Sequence, residues 1–210
     1  IKPEYTYNME LGISRLIEGY IRFDLVGYYT FLRDAIVRTF YQLEGQDSLL
    51  YDGDYYRITA NYNAGKGWIY GLSANVTANI NEHIFVKGTF NYTKGWNTSD
   101  DVPLGHIPPI FGRTSRTYEK KKFSIITYVV YQGWKNIDEF SPYGEDNEGE
   151  ATRYGYPGWW TLNIKTTYQP RQALRFMLTF ENILDTFYKP YASGLSGPGR
   201  NIILSASVDL

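Results

Sequence analysis

Apolar and polar residues alternate along much of this chain with a period of two, the spacing of a β-strand whose faces meet different surroundings. The end of the chain shows it plainly. Ile202, Leu204, Ala206, Val208 and Leu210 fall on one face, against Ile203, Ser205, Ser207 and Asp209. Trp160, Leu162, Ile164, Thr166 and Tyr168 oppose Thr161, Asn163, Lys165 and Thr167. Leu174, Phe176, Leu178 and Phe180 oppose Arg175, Met177, Thr179 and Glu181. The same pattern runs through 67–79 and, near the start, sets Tyr5, Tyr7, Met9, Leu11 and Ile13 against Thr6, Asn8, Glu10, Gly12 and Ser14.

Aromatic residues stand at the ends of the apolar faces and aliphatic ones between them, as Trp160 and Tyr168 bracket Leu162 and Ile164. A lipid-facing band between two aromatic girdles has this arrangement. The runs are roughly 9–13 residues long, near the length a tilted strand needs to cross a bilayer. A soluble sandwich strand is usually shorter, about 5–6 residues.

The spacing predicts about nine strands, at 4–16, 20–32, 67–79, 84–93, 110–118, 123–132, 159–168, 173–182 and 200–210. The connections alternate. Short turns fall near 17–19, 81–83, 119–122 and 169–172, and long segments near 33–55, 94–109, 133–158 and 183–199. Short and long in alternation is the mark of an up-and-down transmembrane barrel, tight on the periplasmic side and looped outside. The strands flanking the first long loop are expected to extend through 37–41 and 55–62. Nine is an odd number, and an open sheet in lipid leaves edges unpaired. The chain, 1–210, is therefore expected to be part of a larger barrel, and the absence of an initial Met fits a truncated or processed product. Bare edges predict pairing with another copy if such a piece stands alone.

Composition adjusts this picture in three places. Aromatics make up 18% of the 210 residues, with 21 Tyr, 11 Phe and 5 Trp, a bias that suits membrane interfaces. A Tyr-rich, secreted or surface glycan-binding β-protein is the alternative on composition. The formal net charge of -1 gives no electrostatic case for nucleic acid. With no cysteine, disulfides and thiolate metal sites are excluded.

Several stretches resemble the TonB-dependent receptor family. Ile1-Lys2-Pro3-Glu4, followed by Asn8, Glu10, Leu11 and Gly12, is similar to one of its barrel strands. Asn63-Ala64-Gly65-Lys66 and Ile107-Pro108-Pro109 resemble its strand approaches. Glu181-Asn182-Ile183-Leu184-Asp185 with Tyr188 looks like the segment after its penultimate strand, and Gly197-Pro198-Gly199-Arg200-Asn201 like the lead into its final one. The run 108–114, with Gly144-Glu145-Asp146-Asn147 and 157–162, is most similar to receptors of Bacteroidetes-type bacteria. Leu210 departs from the aromatic that usually ends the family's barrels. The resemblance implies an all-β, antiparallel barrel of roughly 22 strands, of which this chain is the C-terminal part. It also implies a plug domain and TonB-contacting segment upstream, a place in the bacterial outer membrane, and energised import of a scarce nutrient. An iron-siderophore, haem, cobalamin or glycan would suit that role. Partners would be outer-membrane lipid, the plug and remaining strands, the TonB complex indirectly, and the ligand.

Candidate chemistry is sparse. Trp96, Phe140, Tyr143, Tyr154, Tyr156 and Tyr191 fall in predicted external loops, where aromatics can meet a ligand. His106 shares that position and could ligate haem iron, whereas His83 lies in a predicted periplasmic turn and reads as solvated. The acidic stretch Asp138-Glu139, Glu145-Asp146, Glu148 and Glu150 lacks a calcium-loop pattern and reads as solvated charge. Lys120-Lys121-Lys122 reads as charge on a hairpin tip, and Asp52-Gly53-Asp54 as a turn. No nucleophile–base set is present, so no enzyme, resident metal or cofactor is expected.

Overall fold

The computed structural model describes residues 2–63 and 65–209. Ile1, Ala64 and Leu210 of the motifs above lie outside the described residues. The strands in chain order are β1 (Tyr5–Ile17), β2 (Ile21–Arg33), β3 (Ile36–Phe40), β4 (Ser48–Tyr51), β5 (Asp54–Arg57), β6 (Thr59–Asn63), β7 (Lys66–Asn81) and β8 (Ile84–Asn97). They continue with β9 (Val102–Pro103), β10 (Phe111–Lys120), β11 (Phe123–Gln132), β12 (Lys135–Asn136), β13 (Gly155–Tyr156), β14 (Trp159–Arg171), β15 (Leu174–Glu181) and β16 (Asn201–Val208).

One antiparallel meander dominates, in the order β1-β2-β7-β8-β10-β11-β14-β15-β16, with the short β9 added beside β8. Those nine long strands are the nine expected from the alternation. The sheet is open, because β1 and β16 each have a single neighbour among the described residues.

The hairpins at one end are tight for identifiable reasons. Asn81 accepts the backbone N–H groups of His83 and Ile84, both at 2.9 Å, closing the β7–β8 turn. Lys121 takes a positive φ of 54° in the two-residue β10–β11 turn. Glu18 and Gly19 do the same between β1 and β2. At the other end, the first long connection contains a β3–β6 pair and a β4–β5 hairpin. These are separate from β2 and β7 rather than continuous with them, since the chain breaks direction at Asp34, whose φ is 53°.

Register carries one apolar face across the whole sheet. Tyr7, Phe31 and Trp68 are successive cross-strand neighbours, as are Ile13, Leu25 and Ala74. Farther along, Val129, Leu162 and Tyr131, Trp160 continue the face, then Thr166 with Leu178 and Leu204. This face has no second sheet against it among the described residues: Met9 and Leu11 are each 74% exposed and Leu204 77%. The polar face is the more enclosed, with Thr161 and Asn163 buried while Trp160 on the opposite side is half exposed. Soluble β-proteins bury the other face, so the inversion identifies hydrocarbon as the outer solvent.

Aromatics bound that face above and below. Trp68 stacks on Tyr70 at 5.3 Å, and Tyr70 meets Tyr92 at 6.1 Å near the long loops. Phe123 stacks on Tyr168 at 4.5 Å near the short turns. Between them Gly112 leaves room for Tyr131, whose hydroxyl donates to the carbonyl of Thr89 at 3.0 Å. A side chain at 112 would collide with that carbonyl and the Tyr131 ring. Arg116, the one cation at mid-strand of β10 on the apolar face, is exposed and sits one alternation step from Tyr118, on the side away from the turn.

On the inner face polar residues bond laterally. Ser14 of β1 donates to Asp24 of β2 at 2.5 Å, Tyr28 reaches across Gly71 to Thr93 at 2.7 Å, and Ser73 bonds Asn91 at 3.0 Å. Two adjacent substitutions in β7 test the two-faced assignment. Ala74→Arg, placed in hydrocarbon, is expected to cost about 2–4 kcal/mol. Asn75→Arg, opposite Asp24 on the inner face, is expected to cost less than about 1 kcal/mol. Urea unfolding of the full-length protein in liposomes measures both, and equal costs would contradict the assignment.

Candidate ligand-contact site in the external loops

The four long connections emerge on one side of the sheet and fold onto each other. Three of them join at Asp146, which is fully buried. Its carboxylate accepts the backbone N–H of His106 at 2.7 Å and of Ser141 at 2.6 Å, and the hydroxyl of Tyr191 completes the set. These donors come from three different connections. A buried carboxylate is tolerable only with such partners, and each bond to a charged group is worth about 1.5–3 kcal/mol. The expectation that Asp146 is part of a solvated acidic stretch is therefore corrected.

Lys135 is the second buried charge, 5% exposed, and donates from Nζ to the Ile107 carbonyl at 2.9 Å. Burial holds its pKa below the ordinary lysine value, while the nearby carboxylates of Glu139 and Asp146 oppose that shift. Burial also pushes the Tyr191 phenol well above its ordinary value, and the hydrogen bond to Asp146 adds to this. Tyr191 thus stays a neutral donor throughout the physiological range. Gly105 makes the close approach between connections: a Cβ there would stand 2.7 Å from Glu145 Cβ.

The sequence candidates divide in the structure. Phe140 and Tyr156 stack at 5.7 Å and Tyr191 packs edge-on against Tyr156 at 5.5 Å. Phe140 is 4% and Tyr156 1% exposed, so these two rings hold the loops together and present almost no surface to a ligand. Tyr143 is a bridge. Its hydroxyl donates to Asp100 at 3.1 Å and its ring meets Phe40 of β3 edge-on at 5.3 Å, which ties in the first connection. Burial raises its pKa above the usual tyrosine value. His106 uses its backbone, at a φ of 60°, while its side chain is exposed. Tyr154 is exposed and stands apart, beside Arg153.

Trp96 lines a cleft of about 440 Å³. The cleft exists because β8 outruns β10: their ladder stops at Asn91 opposite Phe111, while β8 continues to Asn97. Tyr92, Lys94, Trp134, Asp138 and Glu139 contribute to the same wall. Trp96 is fixed by an indole N–H bond to Asp101 at 3.0 Å, and Trp134 by one to the Tyr154 carbonyl at 3.3 Å. Two oriented indoles beside two cations, Lys94 and the buried Lys135, and two carboxylates can clasp a planar or ringed molecule and hydrogen-bond its edge. Sequence reasoning missed Tyr92, Lys94 and Trp134. The surplus length of β8 was the available signal, hidden because Lys94 and Gly95 interrupt the alternation. A second hollow of about 240 Å³ lies on the inner face, among Tyr128, Trp159, Asn163, Glu181 and Tyr188. Among the described residues no group of His, Cys, Asp and Glu is arranged to hold a metal ion.

Solved structures share this architecture. The copper transporter OprC superposes with a TM-score of 0.81 at 18% identity, over 99% of this chain and 31% of its own. A mutant of the ferric enterobactin receptor PfeA from Pseudomonas aeruginosa gives 0.74 at 17% identity, over 98% of this chain and 31% of its own. The siderophore receptor PirA from Acinetobacter baumannii gives 0.72 at 18% identity, covering 99% and 32%. The chain thus spans about a third of the length of these neighbours, and at such identities the likeness is one of fold. No curated relative matches the sequence. A family model described as TonB dependent receptor-like, beta-barrel matches residues 1–183. On that match, and on a sheet whose apolar side faces outward, the chain belongs to the TonB-dependent receptor β-barrel family of the bacterial outer membrane.

Proposed function

We propose that this chain supplies part of the barrel wall and the external loops of a receptor that imports a scarce nutrient with energy from the TonB system. The observation that carries the reading is the pairing of an outward apolar face with loops cross-locked at Asp146. A rigid loop crown above a polar-lined wall is what capture of a dilute ligand needs, because ordering the loops in advance removes that cost from binding. The ligand seats among the loops and against a plug contributed by the rest of the protein, and passes along the polar inner face. Trp134 and Tyr143 are the contacts best placed to meet it, with His106 and Tyr154 at the periphery, whereas Trp96 stands opposite Trp68 on the outward side of the wall. Phe140, Tyr156 and Tyr191 act through the loops they pack.

Family membership favours transport over catalysis. The names of the structural neighbours, which include copper, enterobactin and siderophore, favour a metal or metal-chelate cargo. A glycan-binding module of the soluble kind is disfavoured, since its apolar faces would meet one another across a core.

Cells expressing the full-length receptor are expected to accumulate one ligand among an iron-siderophore, haem, cobalamin and glycan panel. Deletion of TonB is expected to abolish accumulation and leave surface binding intact, and accumulation that persists without TonB would overturn the reading. Asp146→Ala removes the shared acceptor of three connections. Hydrogen exchange across 133–158 is expected to quicken and ligand affinity to fall about ten-fold or more, the equivalent of about 1.4 kcal/mol, with the barrel still folded. Trp134→Ala is expected to weaken binding by a similar factor with the Asp146 junction intact.

A further inference from the structure

The lysine run Lys120-Lys121-Lys122 lies at the end of the barrel opposite the ligand-contact loops, and the fold gives it a setting that charge on a bare hairpin tip would lack. The three lysines rim a groove of about 460 Å³ whose floor is Tyr118, Phe123, Ile125 and Tyr168. All four floor residues lie on the lipid-facing side of the register: Tyr118 is opposite Ile125, and Phe123 is opposite Tyr168. The floor is rigid, because Phe123 stacks on Tyr168 and His83 closes edge-on against Tyr118 at 6.1 Å. It is also bare, with Phe123, Ile125 and Tyr168 all exposed.

Charge around the groove is of one sign. Arg116 lies on the same face, one alternation step above Tyr118. Glu119, the adjacent acid, is on the opposite face, where Ser124 reaches its carboxylate at 3.5 Å. Glu82, in the neighbouring turn, stands 3.5 Å from the His83 ring and does not line the groove. None of the three lysines nor Arg116 has an ion-pair partner among the described residues. Unpaired ammonium groups placed above an apolar floor, at the level where the membrane gives way to water, match a molecule with a phosphate at one end and acyl chains at the other.

We propose that this groove is a binding site for an anionic phospholipid of the periplasmic leaflet, of the phosphatidylglycerol type. The acyl chains lie along Phe123, Ile125 and Tyr168, the phosphate takes hydrogen bonds from Lys120, Lys121 and Lys122, and Arg116 meets the glycerol-ester region from the membrane side. A zwitterionic lipid carries its own ammonium beside the phosphate and gains less from the lysines. Free phosphate lacks the chains that the floor accommodates.

The full-length receptor, delipidated in detergent and titrated with phosphatidylglycerol or phosphatidylcholine under native mass spectrometry, tests this. Each lysine near an anionic headgroup contributes about a five-fold factor. Phosphatidylglycerol is therefore expected to bind at least about five-fold more tightly than phosphatidylcholine. Lys120→Gln with Lys121→Gln and Lys122→Gln is expected to weaken it on the order of 100-fold, and to weaken phosphatidylcholine by a smaller factor. The triple Arg variant is expected to retain binding. Heat-modifiable migration reports that each variant is folded, as substitutions at an exposed turn should allow. Equal binding of the two lipids by the native protein, or undiminished phosphatidylglycerol binding by the Gln variant, overturns the site. Displacement of the lipid by inorganic phosphate would reassign it to a free anion and overturns it as well. None of these outcomes depends on which nutrient the receptor carries.

Discussion

Hydrocarbon offers no hydrogen bonds, and everything else in this structure follows from that. A backbone N–H or C=O facing lipid has to be satisfied by a neighbouring strand, so the long strands run as one ladder of antiparallel partners, its register shifting near the short turns at Asn79/Asn81 and Tyr168/Arg171. The same demand extends to the outer edges of β1 and β16, which need strands beyond the nine described to stand in a bilayer. Side chains are then sorted by the pleat. Half meet lipid and can be apolar without a second layer to cover them, and half meet a watery interior and can bond sideways, as Tyr28 does to Thr93 and Ser73 to Asn91.

That sorting explains which parts of the molecule the amino-acid sequence reveals. A period of two is written locally, so strands such as Phe123–Gln132 and the tight turns beside them can be read from neighbouring residues alone. The aromatic girdles are equally local, because each strand carries its own markers at its own ends. The loop-ward end of β8 is hidden in the sequence because Lys94 and Gly95 carry no alternation, although the backbone continues to pair there with β7.

The loop crown follows a different logic. The partners of Asp146 lie 40, 5 and 45 residues away, and nothing in Gly144-Glu145-Asp146-Asn147 distinguishes a buried acceptor from a solvated acid. Lys135 is hidden in the same way, since its burial depends on a carbonyl 28 residues distant. Phe140 and Tyr156 were identifiable as external aromatics, yet whether such a ring meets a ligand or another loop is decided by what folds over it. Here each folds over the other.

The buried position of Asp146 also divides labour within the crown. The acceptor is enclosed where three connections meet, whereas the β4–β5 hairpin and the side chain of Tyr154 are exposed. Residues at those exposed positions can be exchanged without disturbing the anchorage, and a residue exchanged this way inherits a fixed platform from which to work. One carboxylate thereby separates the part of the surface free to acquire a new taste in cargo from the part that must stay still for any cargo to be held.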